Sequence, residues 1–190
     1  MNISTDEHNK LYKRAIALVG FTSNLVPPVR LSLIAKWKVR RGLKLLQRVV
    51  ELKPDNWAAL WVMGKAYQAT NDGVNALGAF ERSFAINPQH ADIAREASIS
   101  AMECARFDVA MHFAESAVKL RLDDPGLRAN LALALLLSQN PQAAKVQVDE
   151  ALTMDQNDHT TIAIQKVIDQ VLSGARSCPS STQELFARAG

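Results

Sequence analysis

Between Trp57 and Gln89 the apolar positions fall into two short runs with helical spacing. In the first, Leu60, Met63, Gly64 and Tyr67 recur at intervals of three and four residues, which gathers them on one face of a helix. In the second, Ala76, Phe80 and Ser83 do the same, and Asn71-Asp72-Gly73 separates the runs as a turn. Pro88 ends the stretch. Gly64 set against Ala76 lets two backbones approach, with Tyr67 and Phe80 filling the space beside that contact. The pattern predicts a helical hairpin.

The hairpin recurs along the chain. Steps of 34 residues lead from Gly64 to Ser98 and Ala132, from Tyr67 to Ala101 and Leu135, from Ala76 to Ala110 and Ala144, and from Ser83 to Ala117 and Ala151. Backwards, Pro88 becomes Pro54, Phe80 becomes Leu46 and Ala76 becomes Gly42. Leu60-x2-Met63-Gly64-x2-Tyr67, Ala76-x3-Phe80 and Pro88, echoed in Leu131-Ala132 and Ala144-x6-Ala151, resemble the tetratricopeptide repeat (TPR) over roughly residues 23–172. The chain departs from that pattern where the family usually has a Trp near the hairpin start, since Leu60, Ala94 and Arg128 stand there. The resemblance implies an all-α, right-handed helical-hairpin solenoid with N- and C-terminal capping helices, acting as a protein-protein interaction adaptor or scaffold.

The flanks are less regular. Ser4 or Thr5 is expected to cap a first helix with Asp6 and Glu7 in its first turn, where the helix dipole favours acids. Its apolar stripe, Leu11, Ala15, Leu18 and Val19, stops at Gly20, and residues 1–22 are expected to form the N-terminal cap. Pro27-Pro28 then starts a helix from Val29 to about Lys38, with a partner from about Arg41 to Leu52. This first hairpin, 23–56, is degenerate, because Arg30 stands where the repeat has a small residue. Further hairpins are expected near 57–90, 91–124 and 125–158, the last opening on Asp123-Asp124-Pro125. A closing helix over 159–172 is amphipathic through Ile162, Ile164, Val167, Ile168 and Val171. Residues 173–190 read as a flexible tail around Ser177, Pro179, Ser180 and Ser181. Ser181-x2-Glu184 resembles a capping box for one short turn holding Leu185 and Phe186, and the alternative to disorder is docking of that turn.

Composition changes the picture little. Of 190 residues 48% are apolar, enough for a sizeable core, and 8 Gly with 7 Pro leave room for few loops. Cys104 and Cys178 have neither metal-ligand spacing nor a disulfide framework around them, and MNISTDEHNK followed by the short AIALVG is unlike a signal peptide. No run approaches a membrane span, and the two cysteines without a framework make a reduced, cytoplasmic compartment the expectation. Charge, however, is uneven. Residues 1–56 hold 11 Lys and Arg against 4 Asp and Glu, while residues 57–190 hold 11 against 15. The densest part, Lys36, Lys38, Arg40, Arg41, Lys44 and Arg48, is a solvated helix face on the plainest reading. The alternative is a basic patch for nucleic acid, an anionic membrane surface or an acidic partner. Only Trp37 accompanies it as an aromatic, which gives little for stacking on bases.

Chemistry beyond binding finds no support. His8, His90, His112 and His159 are scattered, Gly64, Gly73 and Gly78 form no phosphate loop, and Asp123-Asp124 and Asp149-Glu150 read as helix-end and surface charge. Neither catalytic residues, metal nor cofactor are expected. What the resemblance implies is a concave groove lined by the leading helix of each hairpin. The groove residues are then Trp61, Lys65 and Gln68; Arg95, Ile99 and Met102; and Leu133, Leu136 and Leu137, the leucines serving equally well as packing against the closing helix. The expected ligand is an unidentified protein or peptide with its apolar side on Ile99 and the leucines and its acidic end near Lys65 or Arg95. Within the family, a carboxylate clamp is not matched: the two possible registers offer Pro27, Leu31, Val62, Asp92 and Glu96, or Trp61, Lys65, Glu96, Gly126 and Asn130. A small secretion-type chaperone is the other reading that the size allows.

Overall fold

The computed structural model describes residues 5–24 and 31–185. Among these residues there are helices and loops with no strand: α1 (Thr5–Val19), a 3-10 turn (Gly20–Asn24), α2 (Leu33–Leu52), α3 (Trp57–Gln68), α4 (Gly73–Ile86), α5 (Ala91–Glu103), α6 (Phe107–Leu120), α7 (Pro125–Leu137), α8 (Pro141–Met154), α9 (His159–Leu172) and the single turn α10 (Thr182–Leu185). Side-chain caps start most of them. Asn56, Asp124 and Asp158 accept hydrogen bonds from the first-turn amides of α3, α7 and α9, and Asp72 and Asn140 do so for α4 and α8. Such a cap contributes about 1 kcal/mol.

The turns inside the hairpins share one geometry. The amides of Asp72, Arg106 and Asn140 donate back to the carbonyls of Tyr67, Ala101 and Leu135 at 3.0, 2.9 and 3.0 Å. This bond requires the preceding residue to be left-handed, and Asn71, Ala105 and Gln139 take φ of 58°, 55° and 61°. These positions are 34 residues apart, so the repeat is written in the backbone as well as in the side chains.

The chain divides into two units, residues 1–88 and 89–190. In the first, α1 packs along α2 and α3 along α4, with α2 against α3. Its core joins Ala15, Val19, Val39, Leu46, Val49, Leu60, Met63 and Ala66. Two glycines mark the close approaches: a β-carbon at Gly42 would stand 2.3 Å from Val19 Cγ1, and one at Gly64 would stand 2.4 Å from the Phe80 ring. In the second unit α5 pairs with α6 and α7 with α8, while α5 lies beside α7 and α7 beside α9. Asn130 of α7 donates to Ser98 Oγ of α5 at 3.1 Å, both side chains being buried. Between α8 and α9, Asp149 accepts from Lys145 at 2.7 Å and from Gln165 at 2.9 Å.

The first hairpin differs from the sequence expectation. In place of two helices over 29–38 and 41–52, α2 runs unbroken from Leu33 to Leu52, starting at Ser32, whose hydroxyl accepts from the Ala35 amide. Lys38-Val39-Arg40-Arg41 contains no helix breaker, and Val39 is fully buried in line with Leu46 and Val49. The partner of α2 is α1, so the helix expected as a cap supplies the leading half of that hairpin. The role expected of Pro27-Pro28 lies outside the described residues.

The C-terminal segment, expected to be flexible, holds specific contacts as far as Leu185. The Cys178 thiol donates to Leu136 O at 3.1 Å, and Gln139 Nε2 donates to Pro179 O at 3.1 Å, which ties the segment to the end of α7. Arg176 donates to the carbonyls of Glu184 and Leu185. Glu184 N donates to Ser181 Oγ while its carboxylate accepts from Ser180 N, a reciprocal cap at the start of α10. Leu185 is buried. Phe186 lies outside the described residues.

Candidate functional site

Three leading helices stand side by side in residues 89–190. On them Ile99 of α5, Leu133 of α7 and Val167 of α9 occupy one repeat position, 34 residues apart. All three are half-buried, so the core does not consume this apolar row. One helical turn toward the N-termini, the equivalent residues are Arg95, Ala129 and Ala163, and the two alanines leave room beside the row. The sequence alone assigns Val167 to the closing helix and not to the groove. The signal for its membership of the row is the same 34-residue step that relates Ile99 to Leu133.

Charge gathers at the α5 end. Arg95 donates to Glu96 at 3.0 Å and lies 3.8 Å from Asp92, which also accepts from Arg121 at 3.2 Å. Arg121 reaches Asp124, the cap of α7, at 3.0 Å. Burial alone would raise the Asp92 carboxyl, but the hydrogen bond and charge of Arg121, joined by Arg95 and His90, hold it below its ordinary value.

The remaining groove candidates are placed differently. Met102 is buried at the end of α5, and Leu136 and Leu137 are 0% and 1% exposed. For these two leucines the packing alternative is the one the burial matches. On α3, Lys65 and Gln68 are buried too, and Trp61 is half-buried against the core of residues 1–88. Its indole Nε1 is shielded and has no hydrogen-bond partner among the described residues. The candidate residues therefore do not form one exposed strip: Arg95, Ile99 and Leu133 stand together on α5 and α7, and Trp61 remains part-accessible on α3.

The basic residues Lys36, Lys38, Arg40, Arg41, Lys44 and Arg48 all lie exposed on α2. Sequence reasoning finds Trp37 beside them but misses the exposed Leu33 and Ile34. Leu33, Ile34 and Trp37 are 84%, 71% and 55% exposed on the same helix, and the Arg41 guanidinium sits over the Trp37 ring at 5.3 Å. Three apolar residues within five at a helix start are the available signal.

Among the described residues, no group of three or more His, Cys, Asp or Glu is placed to hold a metal ion. Burial pushes the Cys178 thiol up, away from thiolate reactivity. Among the described residues, no helix is long and apolar enough to cross a membrane.

No protein-family model and no curated protein matches this chain. Solved structures do. YrrB, a TPR protein with an unusual peptide-binding site, is 18% identical over 90% of this chain and 82% of its own, with a TM-score of 0.66. MamA of Desulfovibrio magneticus RS-1, from residue 41 to its end, is 12% identical over 91% of this chain and 93% of its own, with a TM-score of 0.68. The first TPR of Spaghetti (RPAP3), bound to an HSP90 peptide, is 17% identical over 62% of this chain and 93% of its own, with a TM-score of 0.58. Together with the 34-residue recurrence of its small and left-handed positions, these likenesses give the chain the tetratricopeptide-repeat fold.

Proposed function

We propose that this protein is a non-catalytic interaction scaffold that receives a peptide or helix across α5, α7 and α9. The carrying observation is the half-buried row Ile99, Leu133 and Val167, with small residues beside it on two of the three helices. Such a row offers anchoring pockets to apolar side chains at successive positions of a bound segment. YrrB has a peptide-binding site and the Spaghetti TPR is bound to a peptide, which supports the class of ligand. Arg95 is already engaged by Glu96, so an acidic group on the ligand would have to displace it. Affinity then arises from the row and orientation from Arg95.

The test is selection of displayed random peptides on the full-length protein, followed by direct binding to wild type and to Ile99→Glu/Leu133→Glu, with helicity checked by circular dichroism. Peptides with an apolar centre should be enriched and should lose about tenfold or more in affinity on the variant. Failure to enrich any peptide, or equal binding to the variant, would remove this reading.

A further inference from the structure

On the outer face of α2 three large apolar side chains and a run of cations share one surface. Val39, Gly42, Leu46, Val49 and Val50 turn toward the core, which sends Leu33, Trp37, Arg40, Lys44 and Arg48 outward along the opposite side. Leu33, Ile34 and Trp37 form an apolar wedge over the first turns, and Lys36, Lys38, Arg40 and Arg41 surround it. Of the six cations on the helix only Arg48 has an ion pair among the described residues, with Glu51 at 3.1 Å. Lys36, Lys38, Arg40 and Lys44 are exposed, and Arg41 lies over the Trp37 ring.

We propose that this face docks on the surface of an anionic lipid bilayer. An interfacial helix needs an apolar side that enters the headgroup boundary and cations that meet the lipid charge, and α2 has both on exposed positions. Trp37 with Arg41 above its ring is suited to that boundary, where an amphipathic ring meets water on one side and acyl chain on the other. Nucleic acid fits the cations but not the wedge, because Leu33 and Ile34 have no flat face on which a base can stack. No helix among the described residues is able to span the bilayer, so the docking is peripheral. It is independent of the apolar row on α5, α7 and α9.

Vesicle flotation of the full chain tests the proposal, using phosphatidylcholine alone and an equal mixture of phosphatidylserine and phosphatidylcholine. The protein should float with the mixed vesicles and stay behind with neutral ones. Lys36→Glu/Arg40→Glu/Lys44→Glu and, separately, Leu33→Ser/Trp37→Ser should each reduce the bound fraction by about tenfold while helicity is unchanged. Brominated acyl chains should quench tryptophan fluorescence in the wild type and fail to do so in Trp37→Phe, which keeps Trp57 and Trp61. Absence of flotation, or flotation that survives the apolar variant, overturns the proposal. So does tighter binding, at equal salt, to a DNA duplex or to polyglutamate than to the mixed vesicles; that outcome would assign the face to a polyanion instead.

Discussion

The Phe80 ring lies directly over Gly64, so close that a β-carbon at position 64 would meet it at 2.4 Å, with two further ring carbons within 2.7 Å. Position 64 is thus a contact that one methyl group closes. Gly64→Ala gains about 1 kcal/mol of helix propensity but must push an aromatic ring out of a fully buried site, at a cost of about 1–3 kcal/mol. Gly78, also inside a helix, has nothing within 4 Å of its would-be β-carbon. Urea unfolding should therefore show Gly64→Ala less stable than wild type and Gly78→Ala more stable by up to about 1 kcal/mol. Equal effects of the two would refute the packing account.

The left-handed turns make a second prediction. An alanine at φ 55° carries a steric penalty that glycine avoids. Replacing Ala105 with Gly removes that penalty of about 1–2 kcal/mol and returns part of it as unfolded-state entropy. Ala105→Gly should raise stability by about 0.5–1 kcal/mol, whereas glycine at the helical Ala101 should lower it. Calorimetry on the two variants reads the difference directly.

Asp92 gives the pH dependence its sign. Its folded value is lowered, so its contribution to stability is fully present above the ordinary carboxylate value near 3.8 and fades as pH falls through the lower folded value. The carboxylate and its partner Arg121 are each about a third or more exposed, and solvent screening limits their pairing to about 0.5–1 kcal/mol. Arg121→Gln should be less stable than wild type by that amount at neutral pH, and the two should converge as pH falls through the lowered folded value of Asp92. A constant difference across the titration would show that the pairing is not the cause.

Contact between the C-terminal segment and α7 can be followed through a thiol. With Cys104 replaced by Ser, iodoacetamide should modify Cys178 at least about tenfold more slowly than in denaturant, because burial raises its pKa and limits access. Leu185→Ala, which removes the buried side chain of α10, should speed the reaction. If native Cys178 reacts as fast as a free thiol, the segment is not held against Leu136.

What the sequence makes legible is what repeats. Small residues recur at the positions of Gly64 and Ala76, as Ser98 and Ala132 and as Gly42, Ala110 and Ala144, so the helical hairpins follow from spacing. Where a residue's surroundings are not periodic, spacing fails as a guide. In α2 the apolar Leu33, Ile34 and Trp37 face solvent, which inverts the usual pattern and makes one helix look like the end of one and the start of another. Leu136 stands at a position where the resemblance implies a groove residue, yet it is fully buried at the place where Cys178 crosses the end of α7, a contact 42 residues away in sequence. Val167 is within reach of the repeat arithmetic, but its place on the closing helix hides its membership of the apolar row.

The three left-handed closures have a consequence for how the chain can change in length. Each hairpin carries its own turn, and residues 91–124 end on Asp124, the side-chain cap of the helix that follows. Native α5 starts behind His90, which offers no side-chain hydrogen bond to its first turn. A tandem copy of 91–124 would start its second α5 behind Asp124, so the duplicated cassette would arrive better capped than the original. Growth by such duplication proceeds in steps of one 34-residue hairpin.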